Sequence, residues 1–488
     1  MDFAYWSFVA AFAVAGLVAY GLTPLVRRRA IRLGMLDVNA SARKVHTGDV
    51  PRLGGIALVV AFFTPLAGIF FRHNVIGEAF FADWKRPLAI FGGGLCIALL
   101  GVVDDVRGLS AKAKFPVQFA VAAGVWWLGF RVGQVATPWG VLELGWASLP
   151  FTVLWIVGVV NAMNLIDGLD GLASGVALAA VAVTFVISFR RLDLLMCLYS
   201  ASLAGALVGF LRYNFNPATI FMGDTGSMFL GFILATTSIQ ASQKSSTAVA
   251  MIVPIVALGV PIMDTLLAML RHALRGRPLF SADREHMHHR LLDLGLTHRQ
   301  AVLTLYVMSI AFCVLALGLS YANSAQTAAL LALTGGIAFV VVRYLGYWTG
   351  LLESAKAAER RRRNREITSG VAEASRRLRQ AADTVAMWEA LKPMADVLGA
   401  EALSLDLGGQ PFRFERRSGV DESLAIAARF PVRGKVVDGT LVVTWVDGRR
   451  GIERDEQLAI EGLCTAIAAA PAAEPRGTEP NVPHGEPA

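Results

Sequence analysis

The sequence predicts an all-α polytopic membrane protein of about eleven transmembrane helices with a small cytoplasmic α+β domain at its carboxyl end. Three observations predict it. Of 488 residues, 55% are hydrophobic and only 17% charged, with a mean hydropathy of +0.54, far from an ordinary soluble composition. Long apolar runs alternate with polar loops as far as residue 345. Beyond that point a basic run gives way to the patterning of a small globular domain.

The apolar runs lie near Phe3–Leu22, Leu53–Phe71, Leu88–Val103, Phe115–Phe130, Pro150–Val160, Leu172–Phe189, Leu194–Leu211, Met228–Thr237, Ala248–Leu270, Ala301–Leu319 and Ala325–Val342. A straight crossing needs ~20 residues, so the shorter runs must borrow from their polar flanks. Arg27, Arg28, Arg29, Arg32, Arg43, Lys44 and Arg52 crowd the first loop, and six more arginines lie between Arg271 and Arg299. The alternate loops hold fewer: Arg72, Lys85, Arg86, Arg131, Arg190, Arg191 and Lys244. Cytoplasmic loops collect Lys and Arg, which puts the amino terminus outside and the carboxyl terminus in the cytoplasm. The net charge of +8 is thus a topology signal, and no nucleic acid partner is expected. The first span lacks a basic n-region and should stay uncleaved. Cys96, Cys197, Cys313 and Cys464 show no paired spacing, so neither a disulfide nor a zinc framework is implied.

Residues 1–345 form the membrane unit. A basic juxtamembrane linker follows at 346–370, with Lys356, Arg360, Arg361, Arg362, Arg363 and Arg365 anchoring the last span. Residues 371–470 are the cytoplasmic domain, and the Pro/Gly/Glu-rich 471–488 is expected to be a disordered tail. Glu366–Leu398 reads as a helix, Ala402–Leu407, Leu424–Phe430 and Gly439–Val446 as strands, and Asp455–Ala470 as a closing amphipathic helix. This order resembles a GAF-type sensory domain.

Chemistry is carried by three acidic clusters at the ends of apolar runs on the cytoplasmic side: Asp104-Asp105, the Asn161–Gly171 segment, and Asp224 within Phe221–Ser227. Carboxylates are costly in hydrocarbon, so their repeated placement at span mouths points to one shared polar site acting on something anionic. Adjacent Asp104 and Asp105 point about 100° apart on a helix and cannot grip one ion symmetrically. A division of labour is predicted, one facing metal or phosphate and the other accepting a proton or orienting a neighbour. Asn161, Asn164, Asp167 and Asp170 recur every third residue, so Asn161 and Asp170 would point to opposite sides unless Gly168 and Gly171 open the helix. Oxygen donors of this kind suit Mg²⁺, which takes one or two protein carboxylates and fills its shell with phosphate and water. The glycines and hydroxyls around Asp224 form a helix start able to receive phosphate oxygens.

His286, His288 and His289 are too close for the usual i, i+4 zinc pair and lack cysteine partners. Hydrogen bonding and positive charge toward a diphosphate explain them better. Lys44 and Lys114 are further cytoplasmic cations suited to phosphate.

From Asp37 to Gly295 these residues resemble the polyprenyl-phosphate N-acetylhexosamine-1-phosphate transferase family. The resemblance rests on Arg43-Lys44-Val-His46 with Pro51–Gly55, Asp104-Asp105 with Lys114, Asn161–Ala173, Phe221–Ser227 and His286-x-His288-His289. The form Ser281–His289 is similar to the branch using UDP-N-acetylglucosamine more than to the muramoyl-pentapeptide branch, whose histidines are contiguous. The resemblance implies ten or eleven helices around a cytoplasmic groove in a bacterial inner membrane. It also implies transfer of N-acetylhexosamine 1-phosphate from a UDP-sugar to polyprenyl phosphate, with UMP released and Mg²⁺, or Mn²⁺ in its place, as cofactor. Asp224 and Asn164 would hold the metal, and Asp104, Asp105 and Asp167 would be catalytic. Lys44, Lys114, Asn161, Asp170, Phe221, His286, His288 and His289 would bind substrate, with Phe221 stacking on uracil. The partners are UDP-N-acetylhexosamine, polyprenyl phosphate and the bilayer, and a second copy of the chain is a further candidate.

A secondary transporter would also place acids and glycines in broken helices, but near the bilayer midplane rather than at span ends on one face. A CDP-alcohol phosphotransferase would continue Asp167–Gly171 through Ala-Arg to further spaced Gly and Asp, which this chain does not do.

Overall fold

The computed structural model describes residues 2–36, 50–68, 75–137, 140–243, 251–276, 285–416, 425–433, 438–447 and 451–471. Two compact units divide the chain, Met1–Leu351 and Leu352–Ala488. Each has its own hydrophobic core among the described residues.

In the first unit the helices are α1 (Asp2–Arg32), α2 (Gly54–Ala67), α3 (Val75–Ala82), α4 (Lys85–Arg107), α5 (Ala111–Trp127), α6 (Ser148–Ile166), α7 (Leu172–Arg190), α8 (Leu194–Asn214), α9 (Gly223–Gln243), α10 (Ile252–Ala257), α11 (Gly259–Arg275), α12 (Met287–Asp293), α13 (His298–Tyr321) and α14 (Ser324–Tyr344). A short antiparallel hairpin, β1 (Gln134–Thr137) and β2 (Gly140–Glu143), joins α5 to α6. Every predicted apolar run carries a helix, the ninth broken into α10 and α11 at Leu258. Seven described helices are long and apolar enough to cross a membrane by themselves, so this is a multi-pass membrane protein, while the count of eleven crossings is not reached on that criterion. The remainder are short, such as α2 with 14 residues, or carry polar residues.

Nearly every side chain of α9 from Thr225 to Gln240 is buried, and the helix packs against α2, α4, α6 and α7. It is the axis of the membrane core. By contrast, α14 buries none of its side chains in the protein, as a helix facing lipid would.

Helix α15 (Tyr347–Gln380) begins in the last residues of the first unit, and the second unit continues with α16 (Thr384–Leu391), α17 (Met394–Val397), strands β3 (Ala402–Leu407), β4 (Gln410–Glu415), β5 (Ile426–Arg433) and β6 (Asp438–Trp445), and α18 (Arg454–Ala468). The predicted helix Glu366–Leu398 is in fact three. Asp383 accepts a hydrogen bond from Ala386 N at 2.7 Å as an N-cap, and Pro393 begins another break. All pairings in the sheet are antiparallel, in the order β4-β3-β6-β5. Strand β4, which the alternation did not predict, contains Pro411 and lies at an edge, where a missing N–H costs nothing.

Candidate active site

The site is built on the first turn of α9. Just before it, Phe221 N donates to Pro51 O at 2.8 Å, while Gly54 N and Gly55 N donate to Phe221 O and Met222 O at 2.9 and 2.8 Å. Two short backbone segments thereby lock the starts of α2 and α9 together. A side chain at position 55 would set a Cβ 2.2 Å from Gly226 N, so only glycine allows the approach. Gly223 has φ of +70° and sits against Arg52 O and the Asp105 carboxylate.

That carboxylate caps α9. Asp105 Oδ1 accepts from Asp224 N at 2.8 Å, and its Oδ2 accepts from Thr225 N at 3.0 Å and Thr225 Oγ1 at 2.6 Å. Asp104, one residue earlier and a third of a turn away, faces Lys114 of α5 at 2.5 Å. Lys114 Nζ also reaches Asp224 Oδ2 at 3.1 Å, so one ammonium stands between two carboxylates. The two adjacent acids thus face different partners, Asp105 the backbone start of α9 and Asp104 the Lys114 ammonium.

Asn164 donates through Nδ2 to Asp224 Oδ1 and to Ser227 Oγ, both at 2.9 Å. Since Ser227 Oγ itself donates to Gly223 O, Asn164 faces two acceptors and must present nitrogen. Asn164 thereby orients Asp224 through its nitrogen, and the expected metal ligation would fall to its Oδ1. Among the described residues no three His, Cys, Asp or Glu side chains are grouped to hold a metal by themselves. A magnesium ion would have to be held on different terms, by Asp224 from the protein with phosphate and water completing its shell.

Helix α6 ends at Ile166 and Gly171 has φ of +76°, so the glycines do open the chain between α6 and α7. Asp167 lies in that opening, and burial pushes its carboxyl well above the ordinary range, helped by the charges of Asp224, Asp105 and Asp170. Two of its neighbours have structural work instead. Asn161 donates to Gln118 Oε1 at 2.7 Å, joining α6 to α5. Asp170 accepts from Asn216 Nδ2 and Ala218 N at 3.0 and 2.9 Å, tying this loop to the connection between α8 and α9. Both thus brace the scaffold around the opening between α6 and α7. Phe221 is half-buried, its backbone held in the ladder to Pro51 and Gly54.

The histidines reach the same loop. A Cβ on Gly168 would lie 2.5 Å from His288 Nε2, so the ring packs directly on the residue after Asp167. Burial pushes the His288 imidazole down to about 3, with repulsion from His289 adding to it. That burial disfavours the imidazolium form, and the buried Nδ1 has no hydrogen-bond partner among the described residues. His289 is half-buried with its ring 4.3 Å from that of His288. His286 places Nδ1 2.9 Å from Asp264 Oδ2. Lys44 lies outside the described residues.

Sequence reasoning missed Asp264 and Glu285. Asp264 is a single acid inside the run Ala248–Leu270, and an ionisable residue within a span is itself a signal. Glu285 is gripped by Arg275 through two hydrogen bonds, at 2.5 and 3.1 Å, and by Arg290 at 3.1 Å. Those bonds from Arg275 hold its carboxyl below the usual range. Tyr347 OH donates to Glu285 O at 2.7 Å, fixing the backbone one residue before His286.

Residues 87–242 match the sequence pattern of glycosyl transferase family 4. The chain is 40% identical over 317 residues, covering 64% of its length and 86% of the relative's, to a Bacillus subtilis protein named "Probable undecaprenyl-phosphate N-acetylglucosaminyl 1-phosphate transferase". It is 35% identical over 353 residues, 67% of its length and 86% of the relative's, to the decaprenyl-phosphate N-acetylglucosaminephosphotransferase of Mycolicibacterium smegmatis. Similarity extends at 35% identity to the phospho-N-acetylmuramoyl-pentapeptide-transferase of Caldanaerobacter subterraneus, over 47% of this chain and 72% of that one.

Proposed function

The chain belongs to glycosyl transferase family 4, and from that membership we propose that it transfers N-acetylglucosamine 1-phosphate from UDP-N-acetylglucosamine to polyprenyl phosphate, releasing UMP. The observation that carries the reading is the convergence of Asp104, Lys114, Asn164 and Asp224, drawn from four helices, on the capped start of α9. Two anions must meet in this reaction, and their repulsion has to be offset by fixed charge. Lys114 supplies one cation there, and Asp224 is the residue that would hold Mg²⁺, or Mn²⁺ in its place. Bound, the ion would neutralise the diphosphate and polarise its oxygens. Asp105, with both oxygens committed to the helix, keeps Asp224 in place.

Asp167 is the group best suited to take the residual proton of the lipid phosphate. It lies in the opening between α6 and α7 with its proton affinity raised by burial, and its side chain makes no hydrogen bond among the described residues. Attack by the lipid phosphate oxygen is then direct, with the new P–O bond forming as UMP leaves. The excess of Lys and Arg in the loops that carry the site supports a cytoplasmic face at a bacterial inner membrane. The carboxyl-terminal unit fits a GAF-type regulatory domain.

The full chain in proteoliposomes with undecaprenyl phosphate, Mg²⁺ and a panel of UDP-sugars tests the reading. UMP release is expected with UDP-N-acetylglucosamine, none with a CDP-linked donor, and none from Asp224→Ala of unchanged elution and melting temperature. Absence of UMP with every donor, or near-normal turnover by the variant, refutes it.

A further inference from the structure

We propose that Asp264 is a positioning residue of the transferase, holding His286 in one tautomer and orientation while capping the helix that carries His288 and His289. The carboxylate is 1% exposed, deep in α11, and both of its oxygens are used. Oδ1 accepts from Met287 N at 2.8 Å, the first residue of α12. Oδ2 lies 2.9 Å from His286 Nδ1. A buried carboxylate costs stability unless each oxygen is matched, and here one side chain serves a backbone amide and an imidazole at successive residues.

With the carboxylate accepting at both oxygens, His286 carries its proton on Nδ1, which makes Nε2 the lone-pair nitrogen or, in the imidazolium, a second donor. The orientation is passed on. The His286 and His288 rings lie parallel within 3° at 5.8 Å, and His288 in turn packs on Gly168, beside Asp167. A carboxylate buried in α11 thereby sets the placement of imidazoles next to the proposed proton acceptor. From the other side Tyr347 fixes the carbonyl of Glu285, so the chain is gripped on both flanks of His286. The geometric claim stands alone; its catalytic consequence rests on the transferase reading.

Two substitutions separate capping from orientation. In D264N the side-chain oxygen still accepts from Met287 N–H, but the amide now donates to Nδ1 and forces the proton onto Nε2. In D264A both contacts are lost. With ¹⁵N-histidine labelling of the full chain in detergent, the His286 signal, recognised by its absence in H286Q, is expected to show a protonated Nδ1 in the wild type and a protonated Nε2 in D264N. UMP release by D264N should fall by roughly 10- to 100-fold at an unchanged melting temperature, the size of loss seen when the carboxylate partner orienting a metal-ligating histidine is removed. D264A should lose activity and melt lower. The same tautomer in wild type and D264N, or wild-type turnover by D264N beside an inactive D264A, overturns the proposal by reducing Asp264 to a helix cap. Should the wild type release no UMP, the transferase reading fails, and the tautomer measurement still decides whether Asp264 orients His286.

Discussion

Lys114 lies between Asp104 and Asp224, at 2.5 and 3.1 Å, and its charge is what allows two carboxylates to stand so close before substrate arrives. Charge-assisted hydrogen bonds contribute about 1.5–3 kcal/mol each, so Lys114→Gln is expected to lower UMP release by roughly 10- to 100-fold, measured at saturating Mg²⁺. Turnover within twofold of wild type would mean that the ammonium is not part of the site. His288 permits a pH prediction. Folded, the ring is neutral down to about pH 3, against 6.5 for an ordinary histidine, so between those values the unfolded chain binds a proton that the folded chain refuses. Stability must therefore fall as pH drops from 6.5 toward 3, by an amount on the order of a few kcal/mol from this ring. Melting temperatures over that window should fall less steeply in His288→Asn than in the wild type; parallel slopes would refute it. Residue identities here were legible in the sequence, because Asp, Asn and His in short motifs announce polar chemistry wherever the flanks are apolar. Which atom faces which neighbour was not. Asn164 presents nitrogen only because Asp224 and Ser227, both from α9, offer it acceptors.

Helix α9 shows how an element can be positioned by what it lacks. A Cβ at Gly101 would fall 2.4 Å from Thr225 Cα and 2.6 Å from Thr225 N, backbone atoms that cannot turn aside. Gly101→Ala must therefore push α4 and α9 apart, and with them Asp104 and Asp105 from Asp224. Overpacking costs about 1–3 kcal/mol, so a lower melting temperature and loss of UMP release are expected together. A variant that keeps both would show that the close approach is dispensable. Apolar run length was sufficient to find the membrane helices, since burial in lipid demands it. The weaker elements escaped for definite reasons. Hairpin β1–β2 has only four residues per strand, and β4 carries Pro411, tolerable because the strand is at a sheet edge. Strand β5, with Pro431, is the opposite edge.

At the scale of the molecule, the first core ends at Tyr347 and the second begins at Ile367, each complete among its own described residues. Within the second unit, Arg363 pairs with the buried Glu456 and Asn364 donates to Asp455, holding α15 on the start of α18. Deleting residues 366–488 removes the whole second core and none of the first. The truncated protein is expected to keep UMP release in proteoliposomes and the melting temperature of the membrane unit; loss of both would show that the two units fold as one. By itself the sequence determined the membrane class, the chain's division and the residue types of the site, because hydrophobic run length and short polar motifs are local properties. Tertiary structure alone decided that Asp105 caps while Asp104 pairs, that Asn161 and Asp170 brace the scaffold, and that Asp264 holds His286. Such roles depend on which donor and acceptor atoms meet across helices more than a hundred residues apart in the chain, as Asp105 and Asp224 are, and no local pattern encodes that meeting.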